Sequence, residues 1–268
     1  MSLKPTSHAP KRILVTGAAH GIGAAIARLC VDAGHRIIAA DIDREALSLL
    51  REGLPGIETA VLDVRDLTVW TRVVDDVERQ GGPVDVLVNN AGVCLPGPCE
   101  RVTAEDDRMM IDVNLVGVMN GVRALLPRFL ERGRGHVINV ASMAAFAPAP
   151  ELATYCATKH AVRAYTHSCA LDHRHAAIDW TLVCPNAVET PMLEAMRKRR
   201  AGVVVFTEKP MPPEKVARAI VDAIREPRRE VLVPNVRGKL IRFIGLFPDL
   251  LSRGMDAAER RGREALDD

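Results

Sequence analysis

The feature that most constrains the fold lies near the N-terminus, where a short apolar run meets a glycine-rich turn. Residues 12–16, with the sequence RILVT, predict a buried strand that ends at Gly17. The sequence TGAAHGIG follows over residues 16–23, and apolar side chains then recur at helical spacing. A strand, a glycine turn and a helix in this order predict a phosphate-binding site, because the helix N-terminus offers free N–H groups.

Each glycine of this turn has a separate physical role. Gly17 permits the tight turn, Gly21 lets the backbone approach a pyrophosphate, and Gly23 lets the helix pack close to the sheet. The spacing is GxxxGxG rather than GxGxxG, but the roles transfer. We place His20 and Ile22, which lie within the turn, among the cofactor contacts. The alternative is a glycine-rich turn without a ligand.

The second predicted strand, residues 36–40, ends at Asp41, about 20 residues beyond the glycine turn. A carboxylate there accepts hydrogen bonds from the adenosine ribose and repels a 2′-phosphate, which favours NAD over NADP. His20, if cationic, and Arg44 weaken this preference, since either could reach a phosphate. Asp41 could instead cap a helix that starts near Asp43.

Strands and helices alternate along the rest of the chain. Further strands are predicted over residues 57–62, 84–88, 136–141, 178–184 and 230–233, and helices over 67–79, 154–174 and 213–225, with two successive helices over 103–130. This order predicts an α/β fold: a Rossmann-like, doubly wound, mostly parallel seven-stranded sheet in three α/β/α layers. No repeat or linker interrupts it, so we expect a single domain over residues 1–268.

Small or polar residues stand where these strands end, and ligands of such sheets bind at that edge. They are Gly17, Asp41, Asp63, Asn89, Ser142 and Pro185. The sequence NNAG over residues 89–92 fits a backbone that passes close to a ligand, although asparagines can also simply bond neighbouring backbone.

Tyr155 and Lys159 lie one helical turn apart. A fixed ammonium lowers the pKa of a phenol from its ordinary value near 10 toward neutrality, which suits proton transfer. The pattern YxxxK alone is weak evidence for a catalytic site, since both residues could lie on a solvated face. Two observations strengthen it: the chain has only two tyrosines, and Ser142 lies shortly upstream. Asn114, among apolar neighbours, is either a functional amide or a satisfied buried one.

These motifs resemble those of the classical short-chain dehydrogenase/reductase family over nearly the whole chain. TGAAHGIG is similar to its cofactor turn, NNAG to its central motif, and Asn114, Ser142, Tyr155 and Lys159 to its catalytic tetrad. The resemblance implies that Tyr155 is the general acid/base, and that Lys159 lowers its pKa and binds the nicotinamide ribose. It also implies that Ser142 bonds the substrate oxygen and that Asn114 holds a proton-relaying water.

The resemblance implies further cofactor contacts. Asp63 is similar to the adenine contact, with Val64 following it, and Val188 and Thr190 to the nicotinamide contacts. The central motif adds three more contacts, at Asn89, Ala91 and Gly92. The chain departs from the family at Pro185-Asn186, where Pro-Gly is usual; asparagine tolerates left-handed backbone, so the turn can survive.

The expected activity is interconversion of a secondary alcohol and a ketone by hydride transfer to or from NAD or NADP. The alternatives are a dinucleotide-binding sensor with little turnover, or a non-redox lyase or epimerase. Residues 191–212 lack clear periodicity and predict a mobile lid or substrate loop, with a helical excursion as the alternative. The apolar and basic residues 236–268 predict a subunit contact, a pocket wall or a membrane-surface helix. Both segments favour a lipophilic substrate, or packing against another subunit.

The amino-acid composition excludes several classes of function. A net charge of +2 and 3% aromatic residues argue against nucleic-acid binding. Six cysteines without CxxC argue against a metal site. No apolar run is long enough to span a bilayer, so we expect a cytoplasmic protein with a small-molecule substrate, as a homodimer or homotetramer.

Overall fold

The computed structural model describes residues 9–267. A seven-stranded sheet has the order β3-β2-β1-β4-β5-β6-β7, and all neighbouring pairs are parallel. The strands are β1 (Arg12–Thr16), β2 (Arg36–Asp41), β3 (Glu58–Val61), β4 (Val86–Asn89), β5 (Gly135–Val140), β6 (Ile178–Pro185) and β7 (Glu230–Val233). The predicted Rossmann-like α/β fold is confirmed, and its strand order reverses between β1 and β4, where such sheets bind ligands.

Helices cover both faces of the sheet. They are α1 (Gly21–Asp32), α2 (Arg44–Gly53), α3 (Leu67–Gly81), α4 (Ala104–Ile111), α5 (Gly117–Arg132), α6 (Ala153–Asp172), α7 (Pro191–Arg199), α8 (Pro213–Arg225), α9 (Asn235–Ile244) and α10 (Pro248–Asp267). One apolar core lies between the sheet and α1, α2 and α8, and a second lies between the sheet and α3, α5 and α6. All five residues of β1 are therefore buried, which explains the apolar run Ile13–Val15 at its centre.

The span predicted as two helices is one nearly continuous helical run. A π turn, Asp112–Val116, joins α4 to α5, and Asn114 lies inside it, fully buried. The wider π turn changes the direction of side chains relative to a regular helix, and such turns often occur at functional sites. Helix α4 begins directly after Thr103, which caps it: the Thr103 hydroxyl accepts a hydrogen bond from the Asp106 N–H at 3.1 Å.

This run, Ala104–Arg132, is also long and apolar enough to cross a membrane, judged by length and composition alone. Its most apolar 18-residue window has a mean hydropathy of 1.4, and 44% of that window is buried in the protein. The buried Asn120 amide, which donates to the carbonyl oxygen of Val64, lies on it. A helix in a protein core can meet the same criteria of length and composition, so this run is weak evidence for a membrane-spanning helix.

In the first half of residues 191–212 the structure shows the alternative, a helical excursion, in place of a loop. Helix α7 begins at Pro191, and the Thr190 hydroxyl accepts a hydrogen bond from the Leu193 N–H at 3.3 Å. Leu193 and Met196 are buried one turn apart, and the basic run 197–200 lies at the helix C-terminus, where cations are favourable. The apolar stripe is only two residues long, which is too short to be recognised as periodic.

The C-terminal segment forms two helices that close one side of a large cavity. Ile241 and Ile244 of α9 and Leu251 and Met255 of α10 line this cavity. Of the three alternatives for this segment, the structure therefore shows the pocket wall. At Gly262 of α10, a Cβ atom would lie 2.0 Å from the carbonyl oxygen of Val203, so only glycine allows this close approach.

Candidate active site

A cavity of about 720 Å³ extends along the carboxyl edge of the sheet, from the glycine turn to α9 and α10. This volume is within the range of small-molecule and cofactor sites. Most of the predicted site residues line it: Gly17, His20, Gly21, Ile22, Asp41, Asp63, Val64, Ala91, Gly92, Ser142, Tyr155, Lys159, Val188 and Thr190. Gly23, Asn89 and Asn114 do not line it.

The glycine turn is tightly packed against its neighbours. Gly17 and Gly21 have left-handed φ values of +62° and +50°, which side chains disfavour. A Cβ atom at Gly21 would lie 2.8 Å from Thr190 Cγ2, and one at Gly23 would lie 2.0 Å from the Gly17 carbonyl oxygen. Gly23 therefore packs against the turn itself rather than against the sheet.

The N-terminus of α1 is open toward the cavity. Its N-cap residue, His20, makes no side-chain capping hydrogen bond, and the first turn of α1 has no acidic residue. The first N–H groups of a helix carry partial positive charge and need a partner. Gly21 and Ile22 at this end line the cavity. The residues present therefore fit the pyrophosphate of a dinucleotide.

Asp41 at the end of β2 is held by backbone. Its Oδ2 accepts from the Ala19 N–H at 2.9 Å, and its Oδ1 accepts from the Asp43 N–H at 3.1 Å. The helix cap is Asp43, which accepts from the Ala46 N–H at 3.0 Å, so Asp41 does not cap α2. His20 Nε2 lies 3.2 Å from an Asp43 carboxylate oxygen, so a cationic His20 would face that carboxylate.

Asp63 forms an ion pair that the sequence analysis did not identify. Arg65 Nη2 lies 2.6 Å from Asp63 Oδ2, and hydrogen bonding from Arg65 holds the pKa of Asp63 below its ordinary value. Both residues line the cavity. The Val64 carbonyl oxygen accepts from Trp70 Nε1 at 3.1 Å, which fixes the backbone between them. The two ionic groups shape this end of the cavity together.

The two asparagines of the NNAG sequence point in opposite directions. Asn90 lines the cavity, and its Nδ2 donates to the carbonyl oxygens of Thr16 and Gly17 at 3.0 and 3.1 Å. Asn89 is 2% exposed, and its Nδ2 donates to Asn139 Oδ1 at 2.9 Å inside the protein. Asn90 rather than Asn89 therefore supports the glycine turn, and the prediction of Asn89 as a cofactor contact is not supported by its position.

Tyr155, Ser142 and Lys159 converge in the middle of the cavity. Lys159 Nζ lies 5.6 Å from the centroid of the Tyr155 ring and donates to the Val140 carbonyl oxygen at 3.2 Å. Lys159 is 5% exposed, and burial lowers its pKa to about 8, so it is mostly protonated at neutral pH. The Ser142 hydroxyl accepts from the Ala144 N–H at 3.1 Å, which orients it.

The pKa of Tyr155 is raised rather than lowered in this structure. Burial disfavours the charged phenolate and is the largest cause, while a hydrogen bond with Ser142 acts in the opposite direction. The expectation that Lys159 brings the pKa of the phenol toward neutrality is therefore not met in this structure. A phenol with a raised pKa stays protonated at neutral pH and is a weaker acid than a free phenol.

Asn114 supports the site from behind. Its Oδ1 accepts from the Val93 N–H at 2.8 Å, and its Nδ2 donates to the Val93 carbonyl oxygen at 2.9 Å and to Thr158 Oγ1 at 3.2 Å. The amide is therefore satisfied by protein, and it links α6 to the chain that follows Gly92. Asn114 acts here as a positioning residue, and its role in a water relay stays a prediction.

The segment after β6 does not need the glycine that is usual in the family. Asn186 is not among the residues with left-handed φ, so its tolerance for that backbone is not used. Its N–H donates to the Val233 carbonyl oxygen at 2.8 Å, and Val188 forms a bridge with Met211. The Thr190 hydroxyl donates to the Val188 carbonyl oxygen at 3.2 Å, so this hydroxyl is partly engaged within the protein.

Comparison with known proteins agrees with this geometry. The family model for short chain dehydrogenase matches residues 11–201. The chain is 35% identical to the 3-oxoacyl-[acyl-carrier-protein] reductase of Thermotoga maritima, over 79% of this chain and 89% of that protein. It is also similar to a short-chain dehydrogenase/reductase from Burkholderia phymatum in complex with NAD, with 28% identity, a TM-score of 0.79, and 87% and 92% of the two chains covered.

A further similar structure is the closed form of serine dehydrogenase complexed with NADP+, with 30% identity, a TM-score of 0.77, and 82% and 93% of the two chains covered. The chain belongs to the short-chain dehydrogenase/reductase family. The expectation of an oxidoreductase of this family that uses NAD or NADP is thereby confirmed.

Proposed function

We propose that the protein interconverts a secondary alcohol and a ketone on a lipophilic substrate, with NAD preferred over NADP. The observation that carries the proposal is the convergence of Tyr155, Ser142 and Lys159 in an apolar cavity that also reaches the open N-terminus of α1. A nicotinamide cofactor, when bound, supplies or accepts the hydride. The protein positions the reacting groups and moves the proton.

The proton passes through Tyr155. In reduction, its hydroxyl donates the proton to the carbonyl oxygen, and in oxidation its oxygen takes the proton from the alcohol. The Ser142 hydroxyl donates a hydrogen bond to the same substrate oxygen, which stabilises the charge that develops there. The Tyr155 hydroxyl is protonated at neutral pH, so the proton that reduction needs is in place, but its raised pKa makes it a weaker acid than a free phenol.

Lys159 has two tasks in this proposal. An ammonium has three N–H donors, and one of them is used by the Val140 carbonyl oxygen. The other two can bind the hydroxyls of the nicotinamide ribose. Its positive charge also favours the phenolate form of Tyr155 when the alcohol is oxidised, which offsets part of the effect of burial.

The preference for NAD rests on Asp41. Both of its oxygens already accept one backbone N–H, and each keeps a lone pair for a ribose hydroxyl. A 2′-phosphate at that position would face the carboxylate. Arg65, a cation that lines the same region, is engaged by Asp63, and His20 faces Asp43. Similar structures hold NAD in one case and NADP in another, so the likeness alone does not decide.

The lipophilic substrate is proposed from the walls of the cavity beyond Tyr155. They are mostly apolar, with Thr207 and Arg237 as polar members, and their apolar residues are Leu152, Met192, Leu193, Met196, Val205, Ile241, Ile244, Leu251 and Met255. A chain or ring system that fills this space would release water from apolar surface, which is favourable.

The proposal is tested by following reduced nicotinamide absorbance with a panel of secondary alcohols of increasing apolar size. Turnover that rises with apolar size supports it. Tight NAD binding without turnover of any alcohol would support a sensor, and turnover without a change in nicotinamide absorbance would support a lyase or epimerase. Subunit number and a cytoplasmic location stay predictions.

Replacing Asp41 with alanine is expected to change cofactor preference. Loss of a charged hydrogen-bond acceptor costs about 1.5–3 kcal/mol, so kcat/KM with NAD should fall about tenfold or more. The value with NADP should not fall, because the repulsion is removed as well. Asp32→Ala is the matched control, since Asp32 is exposed at the far end of α1 and does not line the cavity. A wild-type protein that already prefers NADP would contradict the argument.

Replacing Gly23 with alanine is expected to weaken NAD binding about tenfold. The new methyl group would lie 2.0 Å from the Gly17 carbonyl oxygen, and such overpacking costs about 1–3 kcal/mol, which the phosphate-binding turn must absorb. Calorimetric titration with NAD measures the change. In the control Gly53→Ala, the added methyl meets open space at the end of α2. Equal affinities of both variants would show that the turn does not bind the cofactor.

A further inference from the structure

The outer surface of α9 and α10 carries an exposed apolar patch. We define the outer patch as Val236, Leu240, Phe243, Leu246, Phe247 and Leu250, whose side chains are 47–84% exposed. Fourteen large apolar side chains are exposed among the described residues, and six of them lie within the 15 positions 236–250. Such a concentration is unusual on a protein surface and indicates an interaction site.

The outer patch lies on the far side of the cavity wall. On α9, Ile241 and Ile244 face the cavity while Leu240 and Phe243 are exposed, so this helix is apolar on two sides. The rings of Phe243 and Phe247 pack together with centroids 5.2 Å apart. The cavity wall and the outer patch are therefore two faces of the same pair of helices.

The charge around the outer patch is positive. Residues 236–255 contain four basic residues and one acidic residue, Asp249, so their formal net charge is +3. Arg237 lines the cavity and pairs with Glu208, so the basic residues of the outer surface are Lys239, Arg242 and Arg253. Lys239 and Arg253 are exposed and have no ion-pair partner among residues 9–267. Arg242 is half-exposed and bonds Glu230 at 2.7 Å.

We propose that the outer patch docks on the surface of a bilayer that contains anionic phospholipid. Exposed aromatic and aliphatic side chains enter the boundary between headgroups and acyl chains, and basic residues beside them are attracted to anionic headgroups. A second copy of this chain fits the patch less well, because a two-fold contact would bring together two surfaces that each carry the unpaired Lys239 and Arg253. The binding does not depend on the reaction, but docking would place the cavity wall against lipid, which suits the proposed lipophilic substrate.

The test is sedimentation of the full chain with vesicles of phosphatidylcholine, with and without phosphatidylglycerol. Wild-type protein is expected to bind the anionic vesicles and to be released by high salt. The double variant Phe243→Ser/Phe247→Ser should bind vesicles about tenfold or more weakly, since it removes two aromatic rings that would be buried in the lipid. Lys239→Glu/Arg253→Glu should lose about tenfold or more, since each basic residue contributes roughly fivefold.

Matched controls make the same changes elsewhere. Leu49→Ser/Leu171→Ser removes two exposed apolar side chains far along the chain, and Lys215→Glu/Arg218→Glu reverses two exposed charges on α8. Both should bind vesicles as the wild type does. Thermal unfolding and dehydrogenase activity on a short, water-soluble alcohol should be the same for all variants, which separates this proposal from failure of the proposed function.

Three results would overturn the proposal. Wild-type protein could fail to bind anionic vesicles. The patch variants could bind as well as the controls do. Sedimentation velocity without lipid could show that the patch variants dissociate a wild-type oligomer and that no variant differs in vesicle binding, which would assign the patch to a subunit contact instead.

Discussion

Replacing Tyr155 with phenylalanine is expected to lower kcat about a thousandfold, while NAD binding changes little. General acid/base catalysis by a positioned side chain contributes about 10²–10⁴-fold, and no other hydroxyl with an ionisable proton of this kind lies next to Ser142 and Lys159 among the described residues of the cavity. The phenylalanine ring keeps the shape of the side chain and removes only the proton-carrying oxygen. Steady-state kinetics with the best alcohol of the panel and calorimetric titration with NAD measure the two effects.

The chain provides a matched control in its only other tyrosine. Tyr165 lies on the same helix, α6, and does not line the cavity. Tyr165→Phe removes the same atom from a similar helical context, so it should leave kcat nearly unchanged. Equal activity of Tyr155→Phe and the wild type would exclude Tyr155 as the general acid/base.

Acidification is expected to destabilise the protein through His136, which lies in β5, an inner strand of the sheet. His136 is 2% exposed, its Nε2 lies 2.9 Å from Thr181 Oγ1, and its Nδ1 has no hydrogen-bond partner among the described residues. Burial, with a smaller contribution from Lys11, lowers its pKa from 6.5 to about 3. Between pH 6.5 and about 3, His136 therefore binds a proton in the unfolded chain but not in the folded chain.

The sign of the effect follows from this difference. Because the unfolded state binds more protons between pH 6.5 and about 3, the free energy of unfolding falls as the pH falls through this interval. A shift of this size corresponds to about 5 kcal/mol when the interval is complete, since each pKa unit contributes about 1.4 kcal/mol. Above pH 6.5 the histidine is neutral in both states and the effect is absent.

Urea unfolding of His136→Gln across this pH interval measures the contribution. Glutamine keeps a hydrogen-bonding group near Thr181 but does not titrate, so the variant should lose stability less steeply with acid than the wild type does. The exposed His175 serves for comparison, and His175→Gln should follow the wild-type curve. Parallel curves for the wild type and His136→Gln would contradict a neutral buried histidine.

The sequence allowed the fold to be predicted because its strands are buried on both faces. The predicted bounds of β1 and β7 agree with the structure, and β4 and β6 extend to Asn89 and Pro185 at the cavity edge. Parallel pairing brings all the carboxyl ends to one side, so Asp41, Asp63 and Ser142 could be placed together without knowledge of tertiary contacts. Most of the candidate site follows from that single constraint.

What the sequence could not predict depends on side-chain direction and on packing between distant segments. Asn89 and Asn90 are identical in kind, and only the strand pleat decides that the first points inward and the second toward the glycine turn. The π turn moves Asn114 out of regular helical register. The ion pair of Arg65 with Asp63 and the burial that raises the pKa of Tyr155 both require the folded chain.

A crystal structure of the protein with bound NAD tests the central claim most directly. The account predicts that the pyrophosphate binds at the N-terminus of α1 beside Gly21, that Asp41 bonds the adenosine ribose, and that the nicotinamide ring faces the hydroxyls of Tyr155 and Ser142 across a space that holds one substrate oxygen. A dinucleotide bound elsewhere, or a Tyr155 hydroxyl turned away from the nicotinamide ring, would contradict it.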